Sequence, residues 1–223
     1  MSLRAPLAAL ALLLSAGVVH GATQSWRLPW GSGLGQVARS ASEGHQLEQS
    51  RRPPQAFALD REGNLIVADT FNKRILRIPP AGPATVLAPG TTGALELPGD
   101  LALHPDGRLL VADRVRFKLV ELGSTERAYG ERGGAPPALL DVSRVAWGPG
   151  QSTAAADDVG HRLVFYEGGR PQRSREYRSY GFAFDPRGTV VMPDFAALSG
   201  FVLTRQDPAG RSLPTLPFDL ETP

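Results

Sequence analysis

The pattern of hydrophobic and polar positions repeats four times along the chain. Each copy opens with an apolar residue, an alanine and a second apolar residue. It then passes through a polar turn and returns through a second apolar run that ends in aspartate. The copies align without a gap over residues 57–69, 101–113, 145–157 and 182–194, and their terminal aspartates lie 44, 44 and 37 residues apart. Self-similarity at this period indicates an array built from one repeated structural unit.

The pattern within each copy predicts four β-strands. The opening triplet is apolar on both sides, which is typical of a strand buried on both faces. A turn follows, with Gly63, Gly107 and Gly188 at a position that favours positive φ. The second apolar run, a third strand with a period of two and a fourth, more polar strand complete the copy. Polarity that rises from the first to the fourth strand predicts a radial blade, with a buried inner strand and a solvent-exposed outer strand. We therefore expect an all-β fold, a β-propeller of about four four-stranded blades.

The repeat divides the chain into blades at residues 54–97, 98–141, 142–178 and 179–216, followed by a short tail. Residues 22–53 precede the blades, and residues 25–36 look like an outer strand with its exit loop, suited to closing the last blade. The fourth copy, however, has a fourth strand of its own. A small closed propeller, an open arc and an incomplete relative of a larger propeller all fit. An open arc exposes unpaired edges, which predicts a homodimer.

Residues 1–21 have the layout of a secretory signal. Arg4 supplies a positive charge, residues 7–14 are an uninterrupted apolar run, and Val19 and Gly21 are small residues suited to cleavage. The apolar run is shorter than the roughly 20 residues that span a bilayer. We expect cleavage near Gly21 and a secreted or periplasmic protein without a membrane partner. A retained N-terminal anchor is the alternative.

Composition narrows the classes of function. The 25 glycines and 20 prolines among 223 residues fit a turn-rich β protein, and 42% hydrophobic residues suffice for a buried core. The absence of cysteine excludes disulfides, cysteine-ligated zinc and thiol catalysis. The formal net charge is +2, and two glutamates interrupt the densest basic cluster, so we interpret that cluster as a solvated strand edge and expect no nucleic-acid binding. The cluster comprises Arg170, Arg173, Arg175 and Arg178, with Glu167 and Glu176.

An aspartate ends the second apolar run of every copy. One interpretation makes these aspartates a ring of metal ligands. The other makes each one a cap for the turn after its strand, bonded to the next loop or to a basic residue five positions on. Because all four copies share the aspartate, a structural role is favoured. The aspartates are Asp69, Asp113, Asp157 and Asp194, and the expected basic partners are Arg74, Lys118 and Arg162.

Positions that differ between the copies are better functional candidates, because folding alone does not demand them. In a propeller, the loops before the first strand and between the second and third strands share one face. Residues of these loops are predicted to line a mouth that binds a protein or a small polar ligand. The alternative is that they are ordinary solvated loop residues. The candidates are Asp100, Arg144, Asp158, His161, Tyr180 and Arg116.

Familiar catalytic signatures are missing from the sequence. It contains no His-Glu-x-x-His pair and no Gly-x-Ser-x-Gly elbow, and the glycines of residues 31–35 miss the dinucleotide fingerprint. His104 occupies a turn position that holds Asp60 and Asp185 in other copies, which favours a turn-capping role. We therefore predict no cofactor, except for a divalent metal if the protein is an enzyme.

The apolar strand that ends in Ala68 and Asp69, followed by Asn72 and Arg74, resembles an NHL repeat. The resemblance covers residues 54 to about 216 and implies a propeller, usually of six blades. The fourth copy departs from the pattern, because Ser199 stands where the others have arginine or lysine.

Similar six-bladed propellers include gluconolactonase-like hydrolases and the peptidyl-hydroxyglycine lyase, which are metal-dependent. The resemblance implies a divalent ion in the central channel, held by Glu, Asn, Asp or His from inner strands. The positions just before the inner strands hold Ala56, Asp100, Arg144 and Gly181. Only Asp100 is a suitable ligand there, and Arg144 would repel a cation. The favoured hypothesis is an exported binding or interaction module. A metal-dependent lactonase-like hydrolase or lyase is the alternative, and a degenerate fragment without activity is a third hypothesis.

Overall fold

A computed structural model describes residues 25–38, 54–88, 95–194 and 202–217. Their strands form four separate four-stranded sheets, each antiparallel and each with its strands in chain order. This arrangement confirms the predicted all-β architecture of four four-stranded blades, which we number 1 to 4 along the chain. The described residues contain no helix that is long and apolar enough to cross a membrane.

The second and third strands have five or six residues in every blade, whereas the first and fourth strands vary more in length. Blade 1 comprises β1 (Ala56–Leu59), β2 (Leu65–Asp69), β3 (Arg74–Ile78) and β4 (Thr85–Ala88). Blade 2 comprises β5 (Pro98–Leu103), β6 (Leu109–Asp113), β7 (Lys118–Leu122) and β8 (Arg127–Tyr129). Blade 3 comprises β9 (Arg144–Trp147), β10 (Ser152–Asp157), β11 (Arg162–Glu167) and β12 (Arg170–Glu176). Blade 4 comprises β13 (Ala183–Phe184), β14 (Val190–Asp194), β15 (Val202–Gln206) and β16 (Ser212–Pro217).

A side chain at the turn closes the first hairpin in three of the four blades, through Asp60, His104 and Asp185, whereas blade 3 has Gly148 at this position. In blade 4, Asp185 Oδ1 accepts hydrogen bonds from the backbone N–H groups of Arg187 and Thr189, both at 2.8 Å. In blade 2 the same position is His104, whose Nδ1 lies 2.7 Å from Asp106 Oδ1. The His104 ring also packs edge-on against Trp147, with 4.9 Å between centroids. His104 is therefore part of a turn at the end of its hairpin.

The hydrophobic core is divided into layers between neighbouring blades. Alternate residues of β6 point to opposite sides: Val111 packs in the layer shared with blade 1, whereas Leu110 and Ala112 pack in the layer shared with blade 3. A third layer joins blades 3 and 4. The middle strands of blades 2 and 3 therefore take part in two layers each, and neighbouring blades stabilise one another by burying apolar surface.

The burial of the strands corrects one prediction. The most buried strands are the second and third of each blade, and every residue of β6 is buried. The first strand was expected to be buried on both faces, yet Phe57 of β1 is 38% exposed. The physical reason is position: the second and third strands of blades 2 and 3 lie between two neighbouring blades, whereas first strands line the inner side of the array.

The blades are connected in chain order. β1 contacts β5, β5 contacts β9, and β9 contacts β13, whereas blades 1 and 4 share no comparably extensive contact in the described part of the chain. The described residues therefore form an arc, one of the three arrangements left open by the sequence. The homodimer expected from the edges of such an arc stays a prediction.

Residues 25–38 form a lead-in loop rather than the outer strand expected for residues 25–36. An isolated bridge joins Trp30 to Val37, and the Val37 N–H donates to Pro29 O at 3.0 Å. Val37 is buried against blade 1, together with Trp26 and other apolar residues. The loop that leads into blade 3 has the same form, with a bridge between residues 132 and 139. The segment therefore packs against blade 1 and does not supply a strand to blade 4.

A buried aspartate at the end of the second strand holds the lead-in loop of each of the first three blades. Asp157 accepts the N–H groups of Leu140 and Asp141 at 2.9 and 3.0 Å. It also accepts Gly160 N–H at 2.7 Å and Arg162 Nε at 2.9 Å. We call this arrangement the aspartate latch. In blades 1 and 2 the latch joins Asp69 to Ala38 N–H, and Asp113 to the N–H groups of Glu96 and Leu97.

In blades 1 and 3, the basic residue five positions after the aspartate also binds the lead-in loop. Arg162 donates to the carbonyls of Gly133 and Gly134. Arg74 donates to three carbonyls of residues 32–36 and to Asp69 Oδ2 at 2.8 Å. Lys118 differs from the expectation, because it donates to Gly130 O instead of forming an ion pair with its aspartate. Asp194 ends β14, and its side chain lies outside the described residues.

Replacing Asp157 with alanine is expected to destabilise the protein by about 3–5 kcal/mol, because it leaves the buried Arg162 guanidinium without its carboxylate and frees three backbone N–H groups. Urea unfolding monitored by circular dichroism measures the change. The neighbouring, exposed Asp158 is the matched control, and Asp158→Ala is expected to stay within about 0.5 kcal/mol of the parent. Equal losses for the two variants would contradict the latch.

Candidate functional site

Two sets of loops meet at one end of the blades and form the predicted mouth. One set leads into the first strands and carries Asp141, with Asp100 and Arg144 at the start of β5 and β9. The other set follows the second strands and carries Arg114 and Asp158. Because strands in each blade are antiparallel, both sets lie at the same end of the sheets. The latch fixes both sets, since each aspartate stands at the end of a second strand and binds the lead-in loop.

Asp100 lies where blade 2 contacts blade 3. A register shift between Pro98 and Asp100 interrupts the pairing of β5 with β6, and such bulges re-aim the side chains beside them. One carboxylate oxygen accepts the Val145 N–H of β9 at 2.8 Å. Burial raises the pKa of Asp100 to about 6, although backbone hydrogen bonds and the charge of Arg144 act in the opposite direction. The carboxyl is therefore poised to exchange a proton close to neutral pH.

Arg144 and Tyr177 supply polar groups without well-formed partners. Arg144 Nε and the Tyr177 hydroxyl are both buried and make no hydrogen bond of good geometry within the described residues, although the Arg144 side chain lies close enough to the hydroxyl to lower its pKa. Burial raises the pKa of Tyr177, and the charges of Asp158 and Asp100 add to this effect while Arg144 opposes it. These four side chains are thus close enough to interact electrostatically. Buried polar groups normally have partners, so this group is unusual.

A salt bridge borders the group. Arg114 Nε and Nη2 donate to the two carboxylate oxygens of Asp141 at 3.0 and 2.7 Å. A methyl group at Gly99 would lie 2.4 Å from Arg114 Cδ, so glycine is what lets the arginine stem cross the strand at this point. The sequence prediction missed Asp141 and Tyr177. Their only signal was their position next to the loops already identified as forming the mouth.

The remaining predicted residues take no part in these contacts. His161 is exposed with φ of +50°, and its carbonyl accepts the Tyr177 N–H at 2.9 Å. Tyr180 is 74% exposed, and Arg116 is exposed and acts electrostatically on Glu96. The structure therefore brings together Asp100, Arg144 and Asp158, and leaves the other three candidates as exposed loop side chains.

The mouth does not fit a metal site of the kind that the family resemblance implies. Within the segments described, no three His, Asp or Glu side chains lie close enough to hold a metal ion. The carboxylate of Asp100 already accepts a backbone N–H and lies beside a guanidinium, which repels cations. What the arrangement offers is a donor in Arg144, an acceptor in Asp158 and a carboxyl that changes charge near pH 6.

Comparison with known proteins identifies the fold. No protein-family model and no curated protein matches the sequence. A streptogramin B lyase matches with a TM-score of 0.54 at 11% identity, over 78% of this chain and 58% of that protein. Virginiamycin B lyase from Staphylococcus aureus matches with a TM-score of 0.54 at 15% identity, over 76% and 56% of the two chains. A catalytically inactive variant of that enzyme with quinupristin gives 0.53 at 13% identity, over 79% and 59%.

These structural neighbours are propeller-type enzymes, and at such low identity the likeness shows the fold alone. The chain has a β-propeller fold and spans less than 60% of the length of each of these three neighbours. The finer resemblance to NHL repeats stays a prediction, because no family model matches.

The raised pKa of Asp100 predicts a pH-dependent stability. Between about pH 4 and pH 6 the folded protein holds a proton that the unfolded chain has released, so wild-type stability falls as pH rises through this window. Asp100→Asn stays neutral and keeps the acceptor oxygen. We expect the variant to be more stable than wild type at about pH 7 and to converge with it near pH 4. Urea unfolding across this range, with Glu167→Gln as an exposed control, measures the difference. A difference in unfolding free energy between Asp100→Asn and wild type that does not change with pH would contradict the prediction.

Proposed function

We propose that this protein is an exported β-propeller that binds a small polar ligand at the mouth formed by Asp100, Arg144, Asp158 and Tyr177. The observation that carries the proposal is the state of Arg144. Its buried Nε has no hydrogen-bond partner within the described residues, and the rest of the side chain interacts with the Tyr177 hydroxyl and with the charge of Asp100. A guanidinium whose buried Nε–H has no partner is ready to donate to an acceptor from outside.

The charges of the mouth favour a ligand that combines an oxyanion with hydroxyl groups. Arg144 supplies donors for a carboxylate, whereas the carboxylate of Asp158 accepts hydrogen bonds from hydroxyls. Asp100 serves in either role, because its pKa near 6 leaves both protonation states populated around neutral pH. Small hydroxycarboxylates have both the oxyanion and the hydroxyl groups, whereas a neutral polyol has the hydroxyl groups alone.

Tartrate and glycerol test the proposal as probes. Titration of the mature protein, followed by the Arg144 Nε–H signal in NMR, is expected to show saturable binding of tartrate and weaker binding of glycerol. Arg144→Gln removes the charged donors and is expected to raise the tartrate Kd about tenfold or more. Arg178→Gln is the control, because Arg178 is exposed and paired with Glu176. Absence of tartrate binding, or an equal loss in the control, would overturn the proposal.

The alternative function is a metal-dependent hydrolase or lyase acting on this face. It is favoured by one observation, the enzymatic nature of the structural neighbours. Metal analysis and melting with and without chelator separate the two hypotheses. A ligand-binding module is expected to contain no stoichiometric metal and to melt unchanged with chelator. Stoichiometric Ca²⁺, Zn²⁺ or Mn²⁺ with a lowered melting temperature after chelation would favour the enzyme.

Export is tested by the intact mass of the protein recovered from the producing cell. Cleavage of the predicted signal after Gly21 is expected to give a protein that begins at Ala22 and is found in the periplasm or medium. An uncleaved protein in the cytoplasm would contradict the proposal of export. An uncleaved protein in the membrane fraction would favour the retained anchor.

A further inference from the structure

A cleft of about 330 Å³ lies between blades 3 and 4, at the end opposite the mouth. The turns β9–β10, β13–β14 and β15–β16 border it through Pro149, Gly188 and Pro208. Aromatic rings form part of its wall, since Phe165 and Phe184 pack edge-to-face with 6.2 Å between centroids. Its volume is within the range of small-molecule sites. The cleft shares no residue with the proposed ligand site.

The equivalent position between blades 2 and 3 is filled by a closed ion pair. Glu121 lies eight residues after the latch aspartate of blade 2 and pairs across the strands with Arg127. Arg127 Nη2 lies 2.7 Å from each carboxylate oxygen of Glu121, and the Tyr129 hydroxyl donates to the same carboxylate at 2.9 Å. Arg127 also reaches across to Gly168 O in the turn of blade 3. The charges between these blades are thus neutralised within the protein.

Blade 3 keeps the arginine of this pair and loses the carboxylate. The residue eight positions after Asp157 is Phe165, and its cross-strand partner is Arg173. The Arg173 guanidinium lies 4.3 Å above the Phe165 ring and reaches the turn of blade 4, because a methyl group at Gly210 would be 3.2 Å from its Nη1. No carboxylate pairs with Arg173 in the described residues. A cation–π contact replaces the ion pair of the previous blade.

Neighbouring charges increase the positive potential of the cleft. Arg175 lies two residues along β12, with its guanidinium 5.7 Å from the same Phe165 ring, and its buried Nε has no partner in the described part of the chain. Burial and the charge of Arg173 lower the pKa of Arg175 to about 10. Arg187 also lines the cleft, whereas Glu167 contributes a single negative charge from an exposed position. The cleft therefore holds excess positive charge beside an apolar wall.

We propose that this cleft binds an aromatic carboxylate. The carboxylate takes the place that Glu121 occupies in the preceding blade and accepts both hydrogen bonds from the Arg173 guanidinium. The aromatic ring lies against Phe184 and the prolines of the turns. Planar, bidentate recognition of carboxylate is the geometry that an arginine fork favours. A neutral or cationic aromatic compound lacks this pairing, so the site selects for negative charge.

Calorimetric titration of the mature protein with 2-naphthoate tests the proposal. We expect saturable, one-to-one binding of 2-naphthoate, and at least tenfold weaker binding of the neutral 2-naphthylmethanol. Arg173→Gln is expected to weaken 2-naphthoate binding about tenfold or more. Phe165→Glu restores the carboxylate of the preceding blade and is expected to abolish binding by pairing with Arg173.

Two controls keep the test specific. Arg170 lies on the same strand but is exposed and does not line the cleft, so Arg170→Gln is expected to bind within twofold of wild type. Arg144→Gln alters the mouth and is also expected to leave 2-naphthoate binding unchanged. If Phe165→Glu does not fold, Arg173→Gln carries the test, with its melting curve as the check. Absence of 2-naphthoate binding, equal binding of the neutral compound, or an equal loss in Arg170→Gln would overturn the proposal.

Discussion

The buried carboxylate at the end of the second strand determines how the blades are joined. The backbone groups of a blade are hydrogen-bonded within its own sheet. The loop that enters the blade therefore needs side chains to hold it in place. The latch meets this need by accepting two N–H groups of the lead-in loop on one aspartate, as Asp113 and Asp157 do. In blades 1 and 3, the basic residue five positions on then donates to carbonyls of the same loop. N–H groups and carbonyl groups of the lead-in loop thus both have hydrogen-bond partners without an additional strand, as buried backbone requires.

The two proposed binding sites depend on this junction in different ways. At the mouth, the latch of blade 3 holds the loop that carries Asp141 and leads to Arg144, so the site is built on backbone that is already fixed. At the opposite end, the cleft depends on the side chains between blades 3 and 4, where Phe165 stands in place of a carboxylate. Both sites share one physical feature, an arginine that forms no salt bridge within the described residues: Arg144 at the mouth and Arg173 in the cleft. Arg114, Arg127 and Arg162, by contrast, each form a salt bridge with a carboxylate.

The sequence was sufficient for the architecture because each blade repeats the same local pattern. Gapless copies predicted the four sheets, and the shared aspartates predicted residues that the structure places in a common structural contact. The gradient of burial was wrong because it depends on how neighbouring blades cover one another, which a single repeat does not contain. The cleft was also hidden. Arg173 belonged to a basic cluster interpreted as solvated, and only the strand register shows that Phe165 replaces the carboxylate facing it.

The short span of each latch has a consequence for the order in which the protein folds. Asp113 and Asp157 bind loops only 16 and 17 residues upstream, and Asp69 binds Ala38, 31 residues upstream. Every latch therefore joins an aspartate to chain that has already been synthesised. Contacts between neighbours in sequence form at a small cost in loop entropy. Blades can close one after another as the chain emerges, each using the finished blade before it as a surface to pack against.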